Sequence, residues 1–370
     1  MRIDFDGTLI PGDEIRAGFI GCGSHSFRNI YPTFQFVPVA LTAVCDLSVE
    51  KAQRFADTFG AASAYSDYRE MLAKEKLDAV FIVTGYDELG RPLYPRIAAD
   101  CINAGCHVWI EKPPAADEND LIALKELADR KGKIVCVGFK KMFYPATEKA
   151  KALAYGKDFG NISLVTINYP QKVPAVEQFK IYIDQKQDEV DVRNFLDHLC
   201  HPVSLMVYLL GMPASLYYER NRFGAGVAIF KYESGVIAAI HFTHGSSMNG
   251  GMERTVIISD SEKHIVIENN TRLCYFQNPP DISYGNTPSF YTGDLKDTAS
   301  VWEPEFSLGQ LYNKGLFLLG YFNEINEFAT AVLEGRNVKK GHIGHAIQIT
   351  QIFSKFAAGP GIEIKLSEEN

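Results

Sequence analysis

The stretch from Arg16 to Arg28, RAGFIGCGSHSFR, decides the fold. Its mostly apolar start, Ala17 to Ile20, runs directly into Gly21-Cys22-Gly23, and we expect a helix after the glycines. A strand that meets a helix through Gly-x-Gly presents backbone N–H groups and a helix N-terminus to a pyrophosphate. Because Gly-x-Gly also occurs in ordinary turns, the stretch predicts a dinucleotide site only if the following chain supplies the other parts.

The first part of the chain alternates short apolar strands with amphipathic helices. The helix after Ser48, with that residue as N-cap, should end at Gly60, and a later helix should end at Gly132. Such alternation predicts an α/β fold, a Rossmann-type parallel sheet covered on both faces. The expected strands are Ala17 to Ile20, Ala40 to Cys45, Ala79 to Thr84, His107 to Ile110 and Ile134 to Val137.

Strands follow one another in the second part, which predicts a C-terminal α+β domain with a large, mostly antiparallel open sheet. A helix should run from about Asn194 to Leu210, and two more should finish the chain. Residues 278–315 form one long irregular stretch. We therefore divide the chain into an N-terminal extension (1–15), a dinucleotide-binding domain (16–140) and a substrate-binding and oligomerisation domain (141–370). The expected strands are Ser163 to Tyr169, Ser215 to Glu219, Val227 to Tyr232, Val236 to Phe242, Thr255 to Ile258, His264 to Ile267 and Leu273 to Phe276.

Composition excludes several classes of partner. The net charge is −8, and no run of basic residues interleaved with aromatics occurs, so nucleic acid is not an expected ligand. No apolar run approaches the roughly 20 residues that span a bilayer, and the N-terminus is acidic, so we expect no membrane and a cytoplasmic protein. The seven cysteines lack any C-x-x-C and are typical of buried thiols in a reducing compartment.

Asp46 supplies the part that the glycine stretch requires. It ends the second expected strand and lies 20 residues beyond Ser26, the place of the third glycine of the fingerprint. A carboxylate there binds the adenosine ribose hydroxyls and repels a 2′-phosphate, which favours NAD over NADP. The alternative is that Asp46 only caps the helix that begins near Ser48.

Lys112, Asp197 and His201 are the candidate catalytic residues. Lys112 follows a strand of the parallel sheet, and ligands of such sheets gather beyond the carboxyl ends of the strands. Its ammonium can donate to a substrate hydroxyl or carbonyl oxygen. Asp197 and His201, at i and i+4, share a helix face, so the imidazole can take a hydroxyl proton while the carboxylate orients it or tunes its pKa. Taken alone, Lys112 is also explained as a surface lysine at a strand end, and Asp197 and His201 as a polar pair on a solvated helix.

Together these motifs resemble the Gfo/Idh/MocA oxidoreductases. The resemblance rests on GFIGCG, Cys45-Asp46, AGCHVWIEKP at 104–113, VGF at 137–139 and D-x-x-x-H at 197–201. It implies that Lys112 and His201 position the oxygen and exchange the proton during hydride transfer, and that subunits associate into a homodimer or homotetramer through the C-terminal sheet. The cofactor-binding residues it implies are Gly21, Cys22, Gly23, Ser24, His25, Asp46, Thr84, Glu111 and Lys112.

Two departures from the family pattern lie where the substrate should bind. The Gly-Gly that often precedes the aspartate is absent, and Tyr94 stands where a histidine is common, after a lengthened loop at 85–93. Aromatic side chains suit a polyol pocket. Four tyrosines are available for it: Tyr169, Tyr182, Tyr284 and Tyr291.

The resulting hypothesis is an NAD-dependent dehydrogenase or reductase of a sugar, cyclitol or sugar-derived substrate. Two alternatives share the motifs: a glycoside hydrolase that uses NAD for transient oxidation, and a dinucleotide-sensing regulator without chemistry. The histidine pairs at i,i+3, such as His342 and His345, lack a third ligand at metal-like spacing, so we expect no metal site. We interpret DFDGTL at 4–9, a phosphatase-like motif, as an accidental match.

Overall fold

The computed structural model describes residues 12–247, 253–277, 299–304 and 314–366. Its first sheet contains six parallel strands in the order β3-β2-β1-β4-β5-β6. This order confirms the expected Rossmann architecture, with β1 in the middle, where its glycine-bearing end meets the neighbouring strand ends. The strands are β1 (Ile15–Ile20), β2 (Val39–Cys45), β3 (Ser63–Tyr65), β4 (Ala79–Ile82), β5 (His107–Ile110) and β6 (Val135–Val137).

Four helices connect the strands of this sheet, and two of them end at the expected glycines. The Ser48 hydroxyl accepts from Lys51 N at 3.3 Å, and Gly60 and Gly132 end their helices with φ of 82° and 62°. Those left-handed conformations favour glycine. The helices are α1 (Val49–Phe59), α2 (Tyr68–Lys74), α3 (Tyr94–Asn103) and α4 (Glu118–Lys131).

The segment after the glycine loop is helical but not a regular α-helix. It forms a π-helical turn, Ser26–Ile30, and then a 3₁₀ segment, Tyr31–Phe36. Pro32 has no N–H to donate, so a continuous α-helical ladder is interrupted there. The Tyr31 ring stacks on Phe19 of β1 at a centroid distance of 4.0 Å, which fastens the segment to the sheet.

A second sheet of nine strands fills the C-terminal half, in the order β14-β13-β12-β11-β7-β10-β9-β8-β15. Within this sheet, β7–β10 is the only parallel pair of described strands, which confirms a mostly antiparallel sheet. The strands are β7 (Ile162–Tyr169), β8 (Ser215–Arg220), β9 (Gly226–Lys231), β10 (Ile237–Phe242), β11 (Arg254–Ser259), β12 (Lys263–Glu268), β13 (Arg272–Gln277), β14 (Ala299–Trp302) and β15 (Glu363–Lys365).

Helices from the second half of the chain pack against both sheets. The longest, α7, begins four residues earlier than expected because the Glu189 carboxylate accepts from Val192 N at 2.9 Å and caps it. Helix α9 packs against the first sheet, where Phe328 meets the ring of Phe81 at 5.5 Å. The helices are α5 (Pro145–Ala154), α6 (Val176–Ile183), α7 (Val190–Leu210), α8 (Lys314–Leu318), α9 (Tyr321–Glu334) and α10 (Ile343–Lys355).

Part of the stretch 278–315 departs from the expectation of an irregular loop, since it contains β14 and the start of α8. The remainder, with Tyr284 and Tyr291, lies outside the described residues, as does the DFDGTL motif. No helix in the described ranges is both long and apolar enough to cross a bilayer.

Candidate active site

The glycine loop leaves β1 in a turn that only glycine permits. Gly21 has φ of 112°, and a Cβ on it would lie 1.9 Å from the Val83 carbonyl oxygen. A Cβ on Gly23 would meet nothing within 4 Å among the described atoms. The first glycine therefore allows close packing on the neighbouring strand, while the second faces open space, where a phosphate can approach the backbone.

Asp46 bonds to the backbone on both sides of its position. One carboxylate oxygen accepts from Cys22 N at 2.8 Å, and the other accepts from Ser48 N at 3.1 Å. The carboxylate thus holds the glycine loop against the start of α1. This position, at the end of β2 beside the loop, is the one from which a ribose hydroxyl can be bound.

Thr84, Glu111 and Lys112 follow β4 and β5 at the same edge of the sheet. The Thr84 hydroxyl is buried and has no hydrogen-bond partner among the described residues. Glu111 is 5% exposed; one of its oxygens lies 2.7 Å from His25 Nε2, and the other accepts from Lys112 N at 2.7 Å. Burial acts to raise the pKa of Glu111, but His25 and Lys112 outweigh it and leave the pKa below its ordinary value.

Lys112 reaches across to the second half of the chain. Its Nζ donates to Asp197 Oδ1 at 2.7 Å, and both side chains are largely shielded from solvent. Burial acts to lower the pKa of Lys112, yet Asp197 and Glu111 together raise it above its ordinary value. The lysine is therefore a fixed ammonium, held by a carboxylate of α7.

His201 lies one turn after Asp197 on α7. Burial, followed by the positive charges of Lys112, Lys140 and Lys141, lowers its pKa well below the ordinary value. The imidazole is therefore neutral at pH 7 and able to accept a proton. Its ring lies 6.1 Å from that of Tyr169.

The described contacts give Asp197 a different partner from the one expected. Its carboxylate pairs with Lys112 and approaches His198 Nε2 at 3.9 Å, and no hydrogen bond to His201 is found among the described residues. Two residues at i and i+4 share a helix face, but the carboxylate extends toward the stronger cation. Asp197 consequently positions the lysine.

Sequence reasoning missed two further lysines of the site. Lys140 and Lys141 lie in the turn that follows β6, and both affect the pKa of His201. The available signal was a pair of lysines at a strand end of the parallel sheet, where charged residues meet the ligand.

Two of the four tyrosines expected to line a pocket lie in the described residues. The Tyr169 hydroxyl lies 3.3 Å from His198 Nδ1, whereas Tyr182 is fully buried.

The lengthened loop at 85–93 is fastened to the C-terminal half. The Tyr182 hydroxyl donates to Gly90 O at 2.7 Å, and Arg91 donates back to Tyr182 O at 3.2 Å. Tyr94, by contrast, is 4% exposed and donates to Thr84 O at 2.9 Å. Tyr94 therefore supports the strand end after β4 from behind, and the loop before it is bound to α6.

Family models match most of the chain. Residues 15–139 match the model described as "Oxidoreductase family, NAD-binding Rossmann fold", and residues 147–262 match the "GFO/IDH/MocA C-terminal domain". A solved structure described as a dehydrogenase from Chromobacterium violaceum has a TM-score of 0.78 and 20% identity, covering 94% of this chain and 96% of the other. At that identity the likeness shows the fold.

Two curated relatives are similar over part of the chain. D-xylose 1-dehydrogenase (NADP(+)) 2 of Haloferax volcanii is 26% identical over 60% of this chain and 67% of its own. The scyllo-inositol 2-dehydrogenase (NADP(+)) of Bacillus subtilis is 26% identical over 58% of this chain and 63% of its own. These matches thus span about two thirds of the relatives' length.

Proposed function

The chain belongs to the Gfo/Idh/MocA oxidoreductase family, and on that premise we propose that it is an NAD-dependent dehydrogenase or reductase. Its substrate is a secondary alcohol or ketone of a sugar, cyclitol or sugar derivative. The observation that carries the proposal is the hydrogen bond from Lys112 to Asp197, which brings the lysine from the first half of the chain to α7, where its charge acts on His201. The similar proteins from Haloferax and Bacillus, with xylose and inositol in their names, support the substrate class.

The residues at the strand edge fit a nicotinamide dinucleotide. Gly23 leaves room beside the loop backbone, and the Thr84 hydroxyl is a buried polar group that lacks a partner among the described residues. Asp46 and Glu111 offer carboxylates at two places where ribose hydroxyls can be bound. When bound, the nicotinamide supplies the acceptor or donor of the hydride.

The protein's own groups handle the oxygen and its proton. The Lys112 ammonium donates a hydrogen bond to the substrate oxygen and stabilises negative charge that develops on it. Asp197, at 2.7 Å, keeps the ammonium in place. The neutral imidazole of His201 accepts the hydroxyl proton in oxidation and returns it in reduction.

We assign NAD as the preferred dinucleotide because of Asp46. A carboxylate that faces the adenosine ribose repels a 2′-phosphate. Its two bonds, to Cys22 N and Ser48 N, keep it at the end of β2. Both relatives described above carry NADP(+) in their names, so the nucleotide has to be measured for this chain.

The test is a panel of sugars, inositols and uronates with NAD or NADP, followed at 340 nm. Faster formation of NADH than of NADPH supports the dehydrogenase function and the preference for NAD. Equal rates contradict the role of Asp46. Turnover of an aryl glycoside without net NADH would favour the glycoside hydrolase. Binding of NAD without any turnover would favour the regulator.

A further inference from the structure

Two adjacent lysines, Lys140 and Lys141, enter the site from the turn after β6. Lys141 is 3% exposed and forms an ion pair with Glu253, with Asn270 Oδ1 at 3.4 Å as a second acceptor. A buried ammonium that meets a carboxylate is electrostatically matched. Lys141 therefore has its counter-charge within the protein.

Lys140 is half-buried and has no carboxylate partner of this kind among the described residues. Its Nζ donates to the hydroxyl of Tyr321 at 3.0 Å, and the ring of Tyr321 lies 5.1 Å away. Within the ranges that the structure describes, Lys140 forms no ion pair with a carboxylate. A neutral phenol engages one of the three ammonium N–H groups, which leaves two for another acceptor.

Three carboxyl groups act on Lys140 or on its neighbour Lys112, and none of them forms an ion pair with Lys140 among the described residues. Burial raises the pKa of Glu324 well above its ordinary value, so that group is a neutral acid. Glu111 acts on Lys140 electrostatically, but its oxygens bond to His25 and to Lys112 N. Asp197 pairs with Lys112 at 2.7 Å. The ammonium of Lys140 is thus a positive charge that the described residues leave without a directly bonded anion.

Lys140 stands close to the reacting groups. Its charge acts on both Lys112 and His201, and the ring of Tyr321, to which it bonds, lies 5.9 Å from the His25 ring of the glycine loop. The lysine therefore lies near both the end of β5 and the imidazole. A charged group of a substrate held by Lys112 and His201 would come within its reach.

We propose that Lys140 binds an anionic group of the substrate, a carboxylate or a phosphate. This proposal rests on the dehydrogenase function proposed above and narrows its substrates to acidic sugars or cyclitols. An anion at Lys140 would supply the acceptor that a partly desolvated ammonium lacks, through a charge-assisted hydrogen bond. Neutral sugars would leave that ammonium unmatched and would bind more weakly.

The experiment compares matched substrates: D-glucose, D-glucuronate and D-glucose 6-phosphate, and D-galactose with D-galacturonate. NADH formation gives kcat and KM, and thermal shift of the NAD-saturated protein reports binding independently of turnover. The variants are Lys140→Met, Lys140→Arg and, as a control of equal charge change, Lys149→Met on the exposed face of α5.

We expect an acidic substrate to exceed its neutral counterpart in kcat/KM and in thermal shift. Lys140→Met should lower the ratio of acidic to neutral kcat/KM by about 10- to 100-fold, mainly through KM, which corresponds to one charge-assisted hydrogen bond. Lys140→Arg should keep most of the preference, and Lys149→Met all of it. Whether uronates or phosphates lead identifies the anion.

Equal binding and turnover of acidic and neutral members by the wild-type protein would overturn the role of Lys140 while leaving the dehydrogenase intact. A preference that survives Lys140→Met would overturn it as well. Lys140-dependent binding of acids without any NADH would support the anion site and contradict the dehydrogenase. Binding of none of these compounds would contradict the anion site.

Discussion

Lys112 links two parts of the candidate site, because it follows β5 and its side chain reaches Asp197 of α7. Its backbone N donates to Glu111 and its Nζ donates to Asp197. Removing its ammonium leaves the Asp197 carboxylate partly buried without its cation. Such an unpaired charge is costly, so the effect on folding has to be separated from the effect on chemistry.

We predict that Lys112→Met lowers kcat by about 10²- to 10⁴-fold, the usual range when a proton-handling or polarising group is removed. Dissociation of NAD, measured by fluorescence titration, should change much less, because the loop and Asp46 remain. Lys125→Met, on the exposed face of α4, is the control with the same change of charge. Turnover that survives Lys112→Met would refute the catalytic assignment.

A second prediction at this scale concerns the pH dependence of alcohol oxidation. Because the pKa of His201 lies well below its ordinary value, the imidazole remains unprotonated as the pH falls from 8 to 6.5. The pKa of Lys112 is raised, so its ammonium persists into alkaline solution. We therefore expect kcat/KM to be flat on the acid side down to about pH 6.5, the ordinary histidine pKa.

A pH–rate profile from 5 to 9 checks this, with stability measured alongside it. A half-maximal rate at about 6.5 would mean that His201 titrates normally. The unfolded chain takes up a proton below about 6.5 that the native imidazole refuses, so the free energy of unfolding should fall as pH decreases through that window. Protection of the native state by acid would contradict the assigned direction.

At the scale of elements, the loop at 85–93 is held in place by several hydrogen bonds. Asp87 shapes it internally, since its carboxylate accepts from Leu89 N at 2.9 Å and from Arg91 N at 2.8 Å. Gly90 has φ of 70° and lies close to Asp188, so the loop packs tightly on the segment before α7. The loop is therefore held in one conformation, and we expect it to form a wall of the substrate-binding site.

We predict that Tyr182→Phe loosens this wall. The substitution leaves Gly90 O without its 2.7 Å donor, at a cost of about 1–3 kcal/mol in the free energy of unfolding. The KM for the substrate should rise while kcat changes little. Urea denaturation and steady-state kinetics measure the two effects.

Tyr218→Phe is the matched control for that substitution. Its buried hydroxyl also donates to a backbone carbonyl at 2.7 Å, that of Phe356, and it lies on β8 away from the loop. Its loss of stability should be similar and its KM unchanged. Equal effects of both variants on KM would show that the wall does not contact the substrate.

These elements also show what a sequence can reveal. Glycines and caps act locally, so α1 was predictable from Ser48 and Gly60, and the central strands from their apolar runs. The pairing of Asp197 with Lys112, from distant parts of the chain, depends on how α7 meets β5, which no local pattern encodes. The short β3 and the helix α6 lack a strong apolar period and were not predicted.

At the scale of the whole molecule, one face of the nine-stranded sheet carries a continuous row of mostly apolar side chains. Directly opposed pairs connect its members from strand to strand. Val266 and Cys274 are buried within the chain itself, and the other five members are at least partly exposed. An exposed apolar strip of this kind is typical of a surface that another subunit covers, which supports the proposed homodimer or homotetramer. The row is Ile229, Ala239, Thr166, Val256, Val266, Cys274 and Val301.

We predict that Val256→Asp, in the middle of that row, dissociates the assembly. In a twofold interface the substitution places like charges on both partners, which opposes association. Light scattering after size exclusion should give a multiple of 41.2 kDa for the wild-type chain and 41.2 kDa for the variant. Leu47→Asp, at a 97% exposed position of the first domain, serves as the control.

A wild-type mass of 41.2 kDa would contradict the proposed assembly outright. An unchanged assembly in Val256→Asp would place the interface elsewhere on the surface. Circular dichroism of the variant separates dissociation from unfolding.

The packing of α9 against the first sheet bears on the proposed division at residue 140. Ile325 and Phe328, near the end of the chain, share one apolar cluster with Phe19 and Phe81 from its beginning. The cofactor half is consequently completed by residues that the ribosome adds late. During synthesis the apolar face of the N-terminal half therefore stays exposed until α9 has left the ribosome. We expect the nascent chain to need a chaperone in this interval.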